Sequence, residues 1–254
     1  MVLQRDARHL PRKQRAIAEY IQHNPVACAG LTLGQLAELL DVNVSTVIRA
    51  AQSLGYDGYG ALRRALRHRY LATLDPLGIQ AANRERMHSG DLVAGQLRSD
   101  LDNLNAVVSM LPIADIEAFA GAICDARNVL IVSNGSYAAV GHVLSHLLRF
   151  MGYPVNFEQR AGSYLTHLLG ALGPADLLIG ITFWRGAREV VHAVEWAHAQ
   201  GIPTAAITDS ESSRVAVASQ RRLIIPSEST GFYQSLTASL SVGLDALTFR
   251  IVLD

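Results

Sequence analysis

From Val129 to the carboxy end, short apolar runs alternate with stretches of helical periodicity, and this alternation restricts the fold more than any other feature. Val129–Val132, Val155–Phe157, Leu177–Thr182, Thr204–Thr208 and Leu223–Ile225 read as strands. Helical patterns fall between them at Tyr137–Met151, Ser163–Leu169, Arg188–Gln200 and Ser213–Ala218, and a last helix is expected from about Phe232 to Val252. Apolar runs this short, each followed by a helix, bury both faces of a parallel sheet. The expected architecture is a doubly wound α/β domain with a five-stranded parallel sheet. Its ligand site should lie beyond the carboxyl ends of the strands, where the next helices begin.

The preceding part of the chain is helical throughout. Pro11 to Ile21 carries Ile17, Ala18 and Ile21 on one face, and Asn24-Pro25 is expected to end that helix. Thr32 can cap a second helix, Leu33–Leu40, whose Leu33, Leu36, Ala37 and Leu40 fall at helical spacing. Asp41-Val42-Asn43 makes a turn, a third helix runs from about Ser45 to Leu54, and Gly55 stops it. A further helix near Tyr59–Leu71 is rich in arginine, with Arg63, Arg64, Arg67 and Arg69. Leu74–Gly78 reads as a linker, and helices near Leu92–Met110 and Asp115–Cys124 follow. The expected division is a helical domain over 1–75, a linker and connecting helix over 76–110, and the α/β domain over 111–254.

Charge sharpens this division. The whole chain of 254 residues has a formal net charge of zero. Residues 1–75, however, carry ten Arg and Lys against six Asp and Glu, while residues 111–254 carry nine against twelve. A basic amino-terminal segment on a mildly acidic remainder fits a nucleic-acid-binding module. Cys28 and Cys124 have no Cys-x-x-Cys spacing and read as small apolar residues in a reducing compartment. Arg5, Asp6, Arg8 and His9 stand where a signal peptide would need an apolar core, and no run is long enough to span a bilayer. These features predict a soluble, cytoplasmic protein that touches no membrane. His142 and His146 are one helical turn apart, but no third metal ligand is in reach. No metal, cofactor, zinc-ligand cluster, nucleophilic triad or Walker loop is expected.

Thr32 to Ala50 has helix-turn-helix spacing. Ala37 lies where the two helices cross closely, Val42 and Val47 fill the angle between them, and Asp41 occupies the tight turn, a position where Asp tolerates a left-handed backbone. The second helix of the motif would present Ser45, Thr46, Arg49 and Gln52 to a major groove, with Lys13 and Gln35 as further contacts. Residues 10–70 resemble the helical DNA-binding domain of the RpiR family of bacterial regulators. The matching stretches are Leu10-Pro11, Ile17 to Ile21, Leu31-Thr32, Leu36-Ala37, Val44 to Arg49, and Leu54 to Tyr59 with Leu62-Arg63. Residues 125–252 resemble the SIS (sugar isomerase) domain that follows it in that family. The resemblance implies a transcriptional regulator of duplex operator DNA that responds to a phosphosugar-like effector. An operator with two half-sites implies a homodimer or homotetramer.

In SIS domains phosphosugars sit on helix amino-termini ringed by Ser and Thr hydroxyls, because unpaired helix amides attract an anion. Two stretches occupy the corresponding places here. Ser133-Asn134-Gly135-Ser136-Tyr137 follows the first strand, with Ser133 where the family has Gly and Tyr137 where it has Ser. Thr182-Phe183-Trp184-Arg185-Gly186-Ala187-Arg188-Glu189 follows the third, with Trp184 and Arg185 in place of Ser-Gly and Ala187 in place of Thr. The candidate ligand contacts are therefore Ser133, Asn134, Gly135, Ser136, Tyr137, Thr182, Trp184, Arg185, Arg188 and Thr208. Arg185 and Arg188 add charge where hydroxyls have been lost, which keeps the site open to anions, whether sugar phosphates or carboxylates. Two alternatives stand beside the metabolite-sensing regulator. One is a sugar-phosphate isomerase drawing its base from Glu158, Glu189 or Glu228. The other is a regulator whose SIS domain serves only dimerisation. No residue pattern commits any of those carboxylates to catalysis, so no enzymatic activity is expected.

Overall fold

The computed structural model describes residues 10–29, 31–70, 92–184, 186–227, 235–243, 247–248 and 251, and the chain divides into two compact units, Met1–Ser89 and Gly90–Asp254. Arg185, Glu228 and the expected linker at Leu74–Gly78 lie outside the described residues.

Among the described residues five helices build the first unit: α1 (Arg12–His23), α2 (Pro25–Cys28), α3 (Leu33–Leu39), α4 (Val44–Ser53) and α5 (Tyr59–Tyr70). Asn24-Pro25 does interrupt α1, but it also opens α2, because Pro25 at a first helical position loses nothing by lacking an amide hydrogen. Thr32 caps α3 as its sequence predicts, and Gln35 closes a reciprocal capping box. At the other end of α3, the amide of Val42 donates to Ala37 O and that of Asp41 to Glu38 O. That pair of bonds requires a left-handed residue between them, and Asp41 supplies it with φ +49°. Ile17, Ile21, Leu36, Val47, Leu54, Leu62 and Leu66 are fully buried together. The hydroxyl of Tyr59 donates within the same unit to Cys28 O and Leu31 O.

The second unit begins with α6 (Leu92–Met110) and α7 (Ile113–Asp125). The α/β alternation follows: β1 (Val129–Ser133), a single 3₁₀ turn (Gly135–Tyr137), α8 (Ala138–Phe150), β2 (Val155–Glu158), α9 (Ser163–Gly170), β3 (Leu177–Ile181), α10 (Arg188–Ala199), β4 (Thr204–Thr208), α11 (Arg214–Val217), β5 (Arg221–Ile224) and α12 (Thr237–Ser241). Helix α6, expected to connect the two domains, packs on α12 within this unit. Of the last helix expected from about Phe232 to Val252, the described residues show α12, which begins at Thr237 after non-helical Ser235 and Leu236, and helical residues at 247–248 and 251.

All five strands are parallel in the order β2-β1-β3-β4-β5. Strands β1, β3 and β4 are buried along their whole length, as a sheet covered on both faces demands. Alternation splits their side chains between two cores. Ile131, Ile179 and Ile207 join Phe119, Leu144 and Leu148 on one face, while Leu130, Leu178 and Ala206 join Leu165, Val190 and Val194 on the other. Gly180 is required where α10 and α11 press on β3, since a Cβ there would stand 2.5 Å from a Val194 methyl. Among the described residues no single helix is long and apolar enough to cross a membrane.

Candidate DNA interface and effector crevice

In the first unit α4 is held from two sides. It packs on α1 and α3, and the Ser53 hydroxyl donates to Gln14 Oε1 on α1 at 3.1 Å. Val47, Ala50 and Ala51 face the core, which leaves Ser45, Arg49 and Gln52 exposed and Thr46 half-buried. These are the residues the helix-turn-helix reading aims at a groove. Arg49 lies back along its own helix, with Nε donating to Ser45 O at 3.2 Å and Nη2 to Ser45 Oγ at 3.3 Å. Its positive charge is thus held over the first turn of α4, where the recognition helix would approach DNA. Lys13 is exposed on the first turn of α1. Gln35 is exposed too, but its side-chain oxygen already accepts from Thr32 N at 2.9 Å, which holds the side chain against the helix start.

In the second unit β1 lies between β2 and β3, so the chain leaves β1 toward one edge and later crosses to the other. The switch point is the gap between the carboxyl ends of β1 and β3, where Ser133 is in register with Ile181. Two segments that open helices line it. The first is Asn134 through the 3₁₀ turn, with Gly135 at φ +61° and both Gly135 and Ser136 exposed. The second is Thr182 through the first turn of α10, where Arg188 is exposed at the helix start. A hydrogen bond from Asn134 Nδ2 to Glu189 Oε2 at 3.2 Å ties the two together across the gap.

The other candidate contacts are distributed unevenly. Ser133 is 0% exposed, and its hydroxyl has no hydrogen-bond partner among the described residues, an uncommon state for a buried polar group. Tyr137 is not turned out to solvent: its ring stacks on Phe183 at 4.4 Å and 9° and packs against the apolar core. Thr182 is buried, and its Oγ1 accepts from Ala187 N at 2.8 Å, bracing the loop from within. Thr208 is buried as well and pairs with Ser213 Oγ at 3.3 Å, and Ser213 caps α11.

Trp184 has φ +56°, a left-handed backbone that costs a bulky residue on the order of 1–2 kcal/mol. The backbone amide of Trp184 donates to Asp209 Oδ1 at 3.0 Å. Sequence reasoning singles out neither Asp209 nor Phe183 as a site residue. Asp209 stands 25 positions from its partner, and only the parallel pairing of β3 with β4 brings the two strand ends together.

Of the carboxylates considered as a base, Glu158 is buried at the end of β2 and accepts from Gln159 N, Arg160 N and the Arg160 guanidinium. Burial pushes its carboxyl up, but the bonds and charge of Arg160, with the Gln159 amide, outweigh this and hold it below the ordinary value. A carboxylate held ionised in this way closes a loop and is poorly placed to take up a proton. Among the described residues no group of three metal-binding side chains gathers, and His142 packs edge-on against Phe157.

Residues 122–248 match the SIS domain, and residues 1–73 match the helix-turn-helix domain of the rpiR family. The chain belongs to the RpiR family. This RpiR-family chain is similar to the sugar isomerase domain of the RpiR transcription factor from Sphaerobacter thermophilus, with 33% identity over 65% of this chain and 91% of that one, at a TM-score of 0.62. It shares its fold with the Vibrio vulnificus NanR protein complexed with ManNAc-6P, at 21% identity and a TM-score of 0.60 over 96% of this chain and 88% of that one. An Escherichia coli protein shares the SIS fold at 18% identity and a TM-score of 0.53, over 67% of this chain and 92% of that one. The RpiR-family architecture is that of a DNA-binding transcriptional regulator with a carbohydrate-derivative-binding domain.

Proposed function

We propose that this RpiR-family protein is a metabolite-responsive regulator. In this reading residues 1–75 bind operator DNA, residues 111–254 sense a small anionic effector, and residues 76–110 join them. The observation that carries the reading is the fusion itself: an exposed Ser45–Arg49–Gln52 face on α4 shares a chain with a switch-point crevice lined by helix starts. Two helix amino-termini and Arg188 favour an anion before any specific contact is considered. A sugar phosphate is the effector class we favour, and the SIS fold shared with the NanR–ManNAc-6P complex supports it. Ser133, Asn134, Gly135, Ser136, Thr182, Arg185 and Arg188 are its proposed contacts, with Tyr137, Trp184 and Thr208 shaping the walls. DNA is bound by a homodimer or homotetramer, so that paired α4 helices meet paired half-sites.

The test is an anisotropy titration of the full chain on its own upstream duplex, with and without sugar phosphates. Coupling on the order of 1–3 kcal/mol is expected, or roughly 5- to 150-fold in DNA affinity. Joint replacement Arg185→Ala and Arg188→Ala should remove the ligand response and leave ligand-free DNA binding intact. Steady turnover of a sugar phosphate, abolished by Glu189→Gln, would defeat this reading in favour of an isomerase.

A further inference from the structure

Helices α9 and α10 cover the same face of the sheet, and they do not close on each other. Between them lies a cavity of about 410 Å³, lined by Gly162, Leu165 and Leu169 on one side and Glu189, His192 and Trp196 on the other. That volume is within the range of small-molecule sites. Glu189, His192 and Trp196 are spaced three and four residues apart, so they form a single face of α10. Trp196 remains 38% exposed over apolar walls. The face runs from a carboxylate through an imidazole to an indole, and it begins at the crevice, because Glu189 is the residue held by Asn134 across the switch point.

We propose that this cavity binds an uncharged pyranose ring and adjoins the anion crevice, so that the protein accepts a phosphorylated disaccharide. The second clause rests on the regulator reading above; the ring site itself does not. Indole and carboxylate divide the work by chemistry. A pyranose has an apolar face of C–H groups, which lies flat on an indole, and a rim of hydroxyls, which donate to a carboxylate. Glu189 is fixed for that role by its bond from Asn134, and the leucines keep the ring's apolar face out of water. An anionic group would meet the Glu189 carboxylate head-on, so the phosphate belongs at the helix starts and the neutral ring belongs here. The two are within one molecule's reach, because Glu189 and Trp196 are separated by seven residues of helix, roughly 10 Å of rise.

Calorimetric titration of the full chain tests the assignment with glucose 6-phosphate, trehalose 6-phosphate, maltose 6′-phosphate, and unphosphorylated trehalose and maltose. At least one disaccharide phosphate should bind about tenfold tighter than glucose 6-phosphate, the gain one added stacking contact and its hydrogen bonds can supply. Trp196→Ala should erase that gain and leave glucose 6-phosphate unchanged, and Glu189→Gln should weaken the disaccharides. Melting temperature checks that each variant is folded. Disaccharide phosphates no tighter than glucose 6-phosphate, or equal weakening of every probe by Trp196→Ala, would overturn the inference. So would a Trp196→Ala variant that changes only the sedimentation state, which would give this face to a second copy of the chain. If glucose 6-phosphate fails to bind but trehalose or maltose binds in a Trp196-dependent way, the ring site stands and the anion reading falls. If no probe binds, both fall.

Discussion

Arg49→Ala separates a DNA-reading helix from a merely structural one. Arg49 is exposed, and its guanidinium donates to Ser45 of its own helix. Those contacts lie in water and close no core, so the substitution should change stability by no more than about 0.5 kcal/mol. Alanine's better helix propensity offsets part of the loss. On DNA the same guanidinium must leave Ser45, and its new partners are worth far more than the old. A bidentate contact to a guanine edge is worth roughly 1–3 kcal/mol, or roughly 5- to 150-fold in affinity for the operator. The assay is anisotropy of a labelled upstream duplex against a scrambled duplex, each measured between about 50 and about 200 mM salt. A large loss on the operator with little change on scrambled DNA places Arg49 on a base. Parallel losses on both, with the log–log salt slope falling by about 0.9, place it on a phosphate. Unchanged affinity for both duplexes, with an unchanged melting temperature, refutes the placement of α4 at the groove.

Acid should weaken the second unit through Asp176. Its carboxylate is 1% exposed, and hydrogen bonds from Arg127, Gly173 N and Asn128 lower it to about 2 against the cost of burial. Because the folded value is depressed, this stability is present above the unfolded value near 4 and is lost as pH falls toward 2. With Arg127 62% exposed and screened by solvent, Asp176→Asn should cost roughly 1–2 kcal/mol at pH 7 and little near pH 2, as measured by denaturant unfolding. Gly180→Ala pushes a Cβ to 2.5 Å from Val194 Cγ2 and 3.1 Å from Val215 Cγ2, so the second unit should lose about 1–3 kcal/mol; an unchanged melting curve would contradict the α10–β3 packing. Burial raises the Cys28 thiol to about 11, so at pH 8 it should resist a thiol reagent in the folded protein and react on unfolding; rapid native reaction at that residue would show that the helical core opens.

What was legible in the sequence is what a few consecutive residues decide. Thr32 could be read as a cap and Asp41 as the left-handed stop of α3, because each obeys a rule about its own backbone. The strands of the sheet follow from runs such as Val129–Val132, four consecutive apolar residues, which the structure buries and extends by Ser133. The site was only partly legible. Its residues come from Asn134, Thr182, Glu189 and Asp209, which the sheet order brings to one edge, and sequence spacing carries no trace of their pairing. Loss of the family's hydroxyls was visible, but the bonds that form in their place were not. Trp184 gives its amide to the Asp209 carboxylate, Ala187 gives its amide to Thr182, and Asn134 bonds Glu189. Three donors that a phosphate would seek are thus engaged from within, and two carboxylates stand beside the helix starts that attract it. An anion entering here gains from the helix dipoles and Arg188 and is repelled by Glu189 and Asp209. The ligand that resolves this conflict carries hydroxyl or amine donors next to its negative charge, so that the carboxylates bind one part while the helix starts bind the other. A bare anion such as inorganic phosphate should therefore compete poorly with a sugar phosphate in the DNA titration, and equal potency of the two would show that Glu189 and Asp209 take no part in choosing the effector.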